Sequence, residues 1–143
     1  MSTFALDDFG LAKRTLSEEG LSLAVAKNGK LLFKSKSRGV SDLLAMIREI
    51  GQLAEGASLA DNIVGRAAAL LCVYSKITNV YGVTMSEGAI PIFKANGIHC
   101  EYGTLVPKIL NREKNGICPF EKAVLGIENP RDALDKLKAL KFG

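Results

Sequence analysis

One histidine, His99, and three cysteines, Cys72, Cys100 and Cys118, are the only imidazole and thiol groups in 143 residues. An odd number of cysteines in no framework spacing excludes a disulfide scaffold and fits a reducing compartment. No apolar run reaches the roughly 20 residues that a membrane-spanning helix needs. Met1–Asp8 lacks the basic start and apolar centre of a secretion signal, so the expected location is cytoplasmic, with no membrane partner. The chain holds neither the dinucleotide-binding glycine fingerprint nor a P-loop, so no bound nicotinamide, no P-loop ATPase and no cofactor is expected. One-sided charge is lacking too. The net charge is +4, and the densest basic run, Lys34, Lys36 and Arg38, has no aromatics among its members. That pattern suits a solvated strand face rather than a nucleic-acid groove. A nucleic-acid partner is therefore not expected.

What is present is an ordinary globular composition, 48% apolar and 24% charged, in a chain of one-domain length. Leu6–Glu19 predicts a helix, with Phe9, Ala12 and Leu16 on one face and Gly20 as its stop. Two alternating runs, 21–27 and 30–36, flank Asn28-Gly29 and predict a tight hairpin. A second amphipathic helix is expected from Ser41, as cap, to Ile50, followed by a loop over 51–59.

The central stretch is Asp61-Asn62-Ile63-Val64-Gly65-Arg66-Ala67-Ala68-Ala69-Leu70-Leu71. It reads as a buried helix, apolar nearly all round, with Asp61 as N-cap and Arg66 the one charge between Asn62 and Ser75. A buried cation is costly, so Arg66 should reach a carboxylate, face a solvated cleft, or extend to the surface at the helix edge. A strand over Asn79–Met85, a helix capped by Ser86 and stopped by Gly97, and a strand over Ile98–Tyr102 make a parallel βαβ unit. Pro91 requires that helix to start late or kink. Thr104–Arg112 is read as a short helix, and Asn115-Gly116 as a turn. Cys118-Pro119-Phe120-Glu121 opens another helix, with Glu121 able to reach back to the cap residue's N–H. Asn129-Pro130 starts a last helix with Leu134, Leu137 and Leu140 inward. The sum is one domain, 1–143, a mixed α/β sheet with helices on both faces. Its site is expected beyond the carboxyl end of the strand leading to Ser86 and Glu87.

Several segments together resemble a prokaryotic family of unknown function with a cytidine deaminase-like fold. They are Asp61 with Val64-Gly65-Arg66-Ala67-Ala68-Ala69, Ser86-Glu87 with Ala89, Asn111-Arg112, and Gly116 with Cys118-Pro119 and Glu121. The family tends to carry lysine where Arg66 stands, which keeps the charge but changes the geometry. The resemblance implies a three-layer α/β/α sandwich, with a hairpin followed by parallel strands, and implies which helix N-termini face the cleft. It carries no reaction. Zinc-dependent deaminases open their first core helix with H-x-E and the second with P-C-x-x-C. Here the corresponding stretches are Asp61-Asn62-Ile63 and Ser86-Glu87-Gly88. His99 and Cys100 are neighbours on one strand, so they point to opposite faces. No metal is expected.

Two helix N-termini converging on one cleft would favour a small anionic or nucleotide-like ligand. Asp61, Glu87 and Cys118 are the candidate catalytic groups. Arg66, Ser86, Asn111, Arg112 and Glu121 are candidate ligand-binding groups. Each also has a structural reading: Asp61 and Ser86 as caps, Glu121 as completing a cap, Cys118 as a packed thiol, Arg112 as a surface charge. Tyr74, Tyr81 and Tyr102 could lend hydroxyls to a cleft. A transferase or hydrolase using Cys118 or a carboxylate, a non-catalytic ligand-binding sensor, and a dimeric interaction module are the three functional readings. A homo-oligomer is compatible with all of them.

Overall fold

Asn28 and Gly29 both take positive φ, 55° and 78°, as a type I′ turn requires. They join β1 (Leu23–Lys27) to β2 (Lys30–Ser35) in the expected hairpin. This computed structural model describes residues 7–37 and 39–142. Met1–Leu6 and Arg38 lie outside the described residues, and with them the expected helix start at Leu6 and the end of the basic run. Lys34, within that run, is exposed and pairs with Glu19 at 2.8 Å, as a solvated face would.

Helix α1 (Asp8–Glu18) precedes the hairpin, and α2 (Val40–Ile50) follows it. Asp7 caps α1 by accepting from Gly10 N–H at 2.6 Å. Gly39 rather than Ser41 is the N-cap of α2. A single 3₁₀ turn, Gly51–Ala54, then leads to β3 (Ser58–Val64). After it come α3 (Arg66–Tyr74), β4 (Asn79–Ser86), α4 (Ala89–Ala95), β5 (His99–Val106), α5 (Pro119–Ala123) and α6 (Pro130–Phe142).

The sheet order is β2-β1-β3-β4-β5. β1 is antiparallel to both neighbours, and β3, β4 and β5 run parallel. This is the mixed sheet expected, a hairpin followed by parallel strands. Along β1, Leu23 and Val25 join the large core beneath α2, α3, α4 and α6, while Ala24 and Ala26 join a small core under α1. Alanines on the α1 side, with Ala60 of β3 and Ala12 of the helix, let that helix lie close against the sheet. The result is helix, sheet, helix. No helix among the described residues is long and apolar enough to cross a membrane.

The largest correction concerns the central stretch. Residues 58–64 are strand, and the helix begins only at Arg66, after Gly65. The strand is buried on both faces over 58–61 and shows no clean alternation, so its boundary with a buried helix carries no change of period. Gly65 was the punctuation mark. Asp61 is therefore no helix cap; it sits within β3, opposite Leu23. The expected loop at 51–59 shrinks accordingly.

Ser86 is the last residue of β4, and Gly88 precedes α4. Starting α4 at Ala89 places Pro91 in the first turn, where its missing N–H costs nothing. The helix expected at 104–112 is absent. β5 continues to Val106, because Thr104, Leu105 and Val106 are strand formers and Pro107 holds the residue before it extended. In α6, Leu134 and Leu137 are buried as expected, but Leu140 is exposed.

Helix α3 closes with Ile77 N–H on Cys72 C=O and Lys76 N–H on Val73 C=O, both at 3.1 Å. That pair of bonds makes a Schellman motif. Lys76 holds its left-handed position at φ 60°, a site usually given to glycine.

Candidate functional site

A hollow of about 50 Å³ opens where β3 ends and α3 begins. Asp61 and Ile63 line it from the strand, Val40 and Leu43 from α2, and Cys118, Phe120 and Glu121 from the start of α5. The lining described holds no lysine, arginine or histidine.

Asp61 is 5% exposed. Its Oδ1 accepts from Ile63 N–H at 3.3 Å. Burial pushes its carboxyl up to about 8 from an ordinary 3.8. The Ile63 bond opposes that rise, and the nearby Asp42 carboxylate adds to it. Asp61 is thus largely protonated at neutral pH and can donate a hydrogen bond, which a carboxylate cannot. Asp42 itself is 1% exposed and accepts from the hydroxyls of Ser22 and Ser35, each at 2.5 Å. Sequence reasoning missed this trio. The bulge in the hairpin pairs Leu23 with Ser35, Ser22 N–H bonds Ser35 C=O at 2.8 Å, and no local signal places Asp42 beside them.

Glu121 does not reach back to its own cap residue. It crosses to α3, where its two oxygens accept from Arg66 N–H at 2.8 Å and Ala67 N–H at 2.7 Å. These are charge-assisted bonds to the positive end of a helix. The carboxylate occupies the place where an anionic ligand would dock, and Gly65 exists to admit it. A Cβ at Gly65 would stand 2.4 Å from Glu121 Oε1.

The Arg66 side chain is half-buried and pairs with no carboxylate among the described residues. Its Nε donates to Val124 C=O at 3.2 Å, and Nη2 donates to Ile127 C=O. Arg66 and Glu121 therefore form two opposite straps between α3 and the segment carrying α5. We expect Arg66→Met to destabilise the protein by about 2 kcal/mol, the cost of leaving two inward carbonyls without donors. Arg66→Lys should cost less than half of that. Hydrogen exchange should quicken first over 119–137; uniform quickening across the sheet would contradict the strap.

The remaining candidates lie elsewhere. Ser86 is buried at the end of β4, and Glu87 is exposed beside it, its N–H on Val106 C=O at 2.8 Å; neither lines the hollow. Asn111 staples its own loop, accepting from Asn115 N–H at 3.1 Å and donating to the Asn115 side chain at 2.9 Å. Arg112 is exposed. Of the eight residues expected at one site, Asp61, Cys118 and Glu121 meet in the hollow, and Arg66 sits at its edge with its charge already engaged. Tyr81 packs near Lys13 under α1, and Tyr102 is exposed.

Cys72 is buried in the large core, its thiol pushed up by burial and then by the Asp61 charge. Cys100 packs against the same core while His99 meets Phe9 of α1 on the other face, so the two do point apart. Among the described residues, no three His, Cys, Asp or Glu side chains form a group able to hold a metal.

A family model described as "Domain of unknown function (DUF1893)" matches residues 11–140. A search of curated proteins finds no match. Among solved structures, a DUF1893 family protein from Thermotoga maritima is 26% identical, with a TM-score of 0.83 over 90% of this chain and 86% of that one. A diaminohydroxyphosphoribosylaminopyrimidine deaminase/5-amino-6-(5-phosphoribosylamino)uracil reductase, also from Thermotoga maritima, is 18% identical. It has a TM-score of 0.49 over 80% of this chain and 40% of that one, and speaks to neither ligand nor chemistry here.

Proposed function

Since this chain belongs to the DUF1893 family, whose description names no reaction, we propose a function from the hollow itself: binding, without catalysis, of a small uncharged metabolite that presents a carbonyl, amide or lactam edge to Asp61. The observation that carries this reading is a carboxyl 5% exposed, with its proton held to about pH 8, at the wall of a cavity. Such a group is costly to fold around, and proteins keep costly polar groups where function uses them. The volume, about 50 Å³, takes the end of a ligand rather than a whole nucleotide. The small anionic or nucleotide-like ligand expected from converging helix N-termini has less support. Glu121 already holds the α3 N-terminus, and the guanidinium of Arg66 is bonded to carbonyls. A nucleobase-like edge remains compatible, because its lactam is uncharged.

Thermal shift with acetamide, uracil and cytidine, set against acetate and inorganic phosphate, tests this. The neutral probes should raise the melting temperature, by mass action on the folded state. Their effect should fade above pH 8, where Asp61 loses the proton it donates, and should persist there in Asp61→Asn. Stabilisation by phosphate alone would favour the anionic reading, and stabilisation by none would remove the hollow as a site.

A second reading, thiol chemistry, rests on Cys118 sharing the cavity with Asp61. Iodoacetamide should modify Cys118 first, because Cys72 is buried and burial raises the Cys100 thiol. A bound neutral probe should slow Cys118 and leave Cys100 unchanged. Equal, slow labelling of all three cysteines would dispose of the thiol reading and of an open path to the hollow.

A further inference from the structure

Behind the hollow lies a second buried carboxyl that the ligand reading leaves unused. Asp42, in the first turn of α2, is 1% exposed. Asp61 stands directly opposite Leu23, so those two side chains share one face of the sheet. Leu23 belongs to the large core, the one that α2 covers. Ser22, the residue before Leu23, ties the two carboxyls together. Its C=O accepts from Asn62 N–H, next to Asp61, at 3.1 Å, and its hydroxyl donates to Asp42 Oδ2 at 2.5 Å. Val40 and Leu43, on either side of Asp42 in sequence, line the same hollow as Asp61.

Two neighbouring carboxyls shielded from water do not both ionise readily, so the pair retains a proton. Hydrogen-bond donors decide which of them retains it, because donors favour the charged form. At Asp42 both oxygens are served. Ser35 Oγ accepts from Ser37 N–H at 3.1 Å, which leaves its own hydrogen for Asp42 Oδ1, 2.5 Å away. The Ser22 hydroxyl serves Oδ2. The first turn of α2 adds the positive end of a helix. At Asp61 the bond from Ile63 N–H is long, 3.3 Å, and the residue lies within a strand, at no helix end. The charge therefore settles on Asp42 and the proton on Asp61.

We propose that Asp42 is a positioning residue of the hollow: held by Ser22 and Ser35, it keeps the proton on Asp61 through neutral pH, and with it the donor that the hollow presents. The use of that donor rests on the ligand reading above; the place of the proton does not. The other titratable groups around Asp61 are Cys72 from α3, and Cys118 and Glu121 from α5. Its strand neighbours Leu23 and Gly82 carry none. Burial holds the Cys72 thiol protonated. The Glu121 carboxylate is bonded to Arg66 and Ala67 N–H, and the Arg66 guanidinium turns to Val124 and Ile127 C=O. Asp42 is the group left to act on Asp61 through space.

Carboxyl ¹³C NMR of the aspartate-labelled full chain, followed across pH, reads each carboxyl directly. In the wild type, Asp61 should titrate near pH 8, with Asp42 already ionised at neutral pH. In Asp42→Asn the Asp61 midpoint should fall by about one pH unit. Burial is the larger cause of its rise and remains, so the midpoint should stay above the ordinary 3.8. Glu121→Gln removes a charge from the same wall and should move the midpoint by less than half as much. Uracil affinity in Asp42→Asn should drop about fivefold at about pH 8, as the protonated fraction of Asp61 goes from roughly a half to roughly a tenth, and far less at about pH 6. A loss equal at both pH values would make Asp42 merely structural and overturn the proposal. So would an Asp61 midpoint unchanged in Asp42→Asn, or moved as far by Glu121→Gln. The wild-type spectra need no variant: a proton on Asp42 with Asp61 ionised at neutral pH overturns the proposal even if Asp42→Asn does not fold. Should uracil bind neither protein, the ligand reading falls, and the titration still decides where the proton stands.

Discussion

Asp61→Asn should stabilise the protein at pH 8 by about 2–4 kcal/mol and leave it nearly unchanged at pH 4. The sign follows from proton linkage. Unfolded, Asp61 ionises near its ordinary 3.8; folded, it keeps its proton to about 8. Between those values the folded state binds more protons, so rising pH removes stability throughout the window and removes no more above it. The full gap corresponds to as much as about 6 kcal/mol, an upper bound that relaxation of the site reduces. Asparagine has a similar shape and no charge to bury, so it escapes the penalty. At roughly 3 °C per kcal/mol for a chain of this size, the melting temperature at pH 8 should rise by about 10 °C. The measurement is the difference between variant and wild type across pH, since other carboxyls titrate in both. Glu101, for one, is held below its usual range by hydrogen bonds from His99 and Lys13. A difference that stays flat from pH 4 to pH 8 would mean that Asp61 is already ionised in the fold. The hydrogen-bond donor of the proposed site would then be gone.

Gly65→Ala should cost about 2 kcal/mol, and almost none of it in the absence of Glu121. The added Cβ would lie 2.4 Å from Glu121 Oε1 and 2.6 Å from Cδ. A carboxylate on a flexible stem can swing aside, so the contact itself is cheap. What is lost is its grip on Arg66 and Ala67 N–H, and α3 then begins uncapped against the core. Loss of a cap costs about 1–2 kcal/mol, more where the donors are shielded from water. Glu121→Ala should therefore cost as much, and the double variant little more than either alone. Urea unfolding of the four proteins would give a coupling of about 1.5 kcal/mol. Additive losses would show that Gly65 and Glu121 act separately and that the cross-chain cap contributes nothing. The same experiment bears on ligands. If Glu121→Ala gains phosphate binding, its carboxylate had been holding the anion site closed.

These two effects also show where reading the chain succeeded and where it could not. The Asn28-Gly29 hairpin, Gly20 and Gly97 as helix stops, Pro119 and Asn129-Pro130 as helix starts, and the β4-α4-β5 unit were legible because each is a local signal. Asn129 Oδ1, for instance, caps α6 by accepting from Arg131 and Asp132 N–H at 2.8 and 3.1 Å. Asp61, Cys118 and Glu121 were identified as polar groups worth attention, but Asp61 and Glu121 were given the wrong duties. A carboxylate before a buried helix looks like its cap. Here the cap comes from 54 or more residues further along the chain, and no periodicity can announce that. Glu87, Asn111 and Arg112 do not line the Asp61 hollow, since a βαβ unit puts a polar pair at a strand end without saying which hollow, if any, lies beside it.

By itself, then, the chain's order of residues determined the α/β class, most of its element order and the family, because turns, caps and apolar spacing act over a few residues. Tertiary structure alone decided that Asp61 is a buried strand residue holding a proton, that Arg66 and Glu121 are spent strapping α5 to α3, and that Asp42, held by Ser22 and Ser35, stands behind Asp61. Those outcomes depend on desolvation and on partners distant in sequence. Burial and long-range contact are properties of the packed chain, not of any short stretch within it.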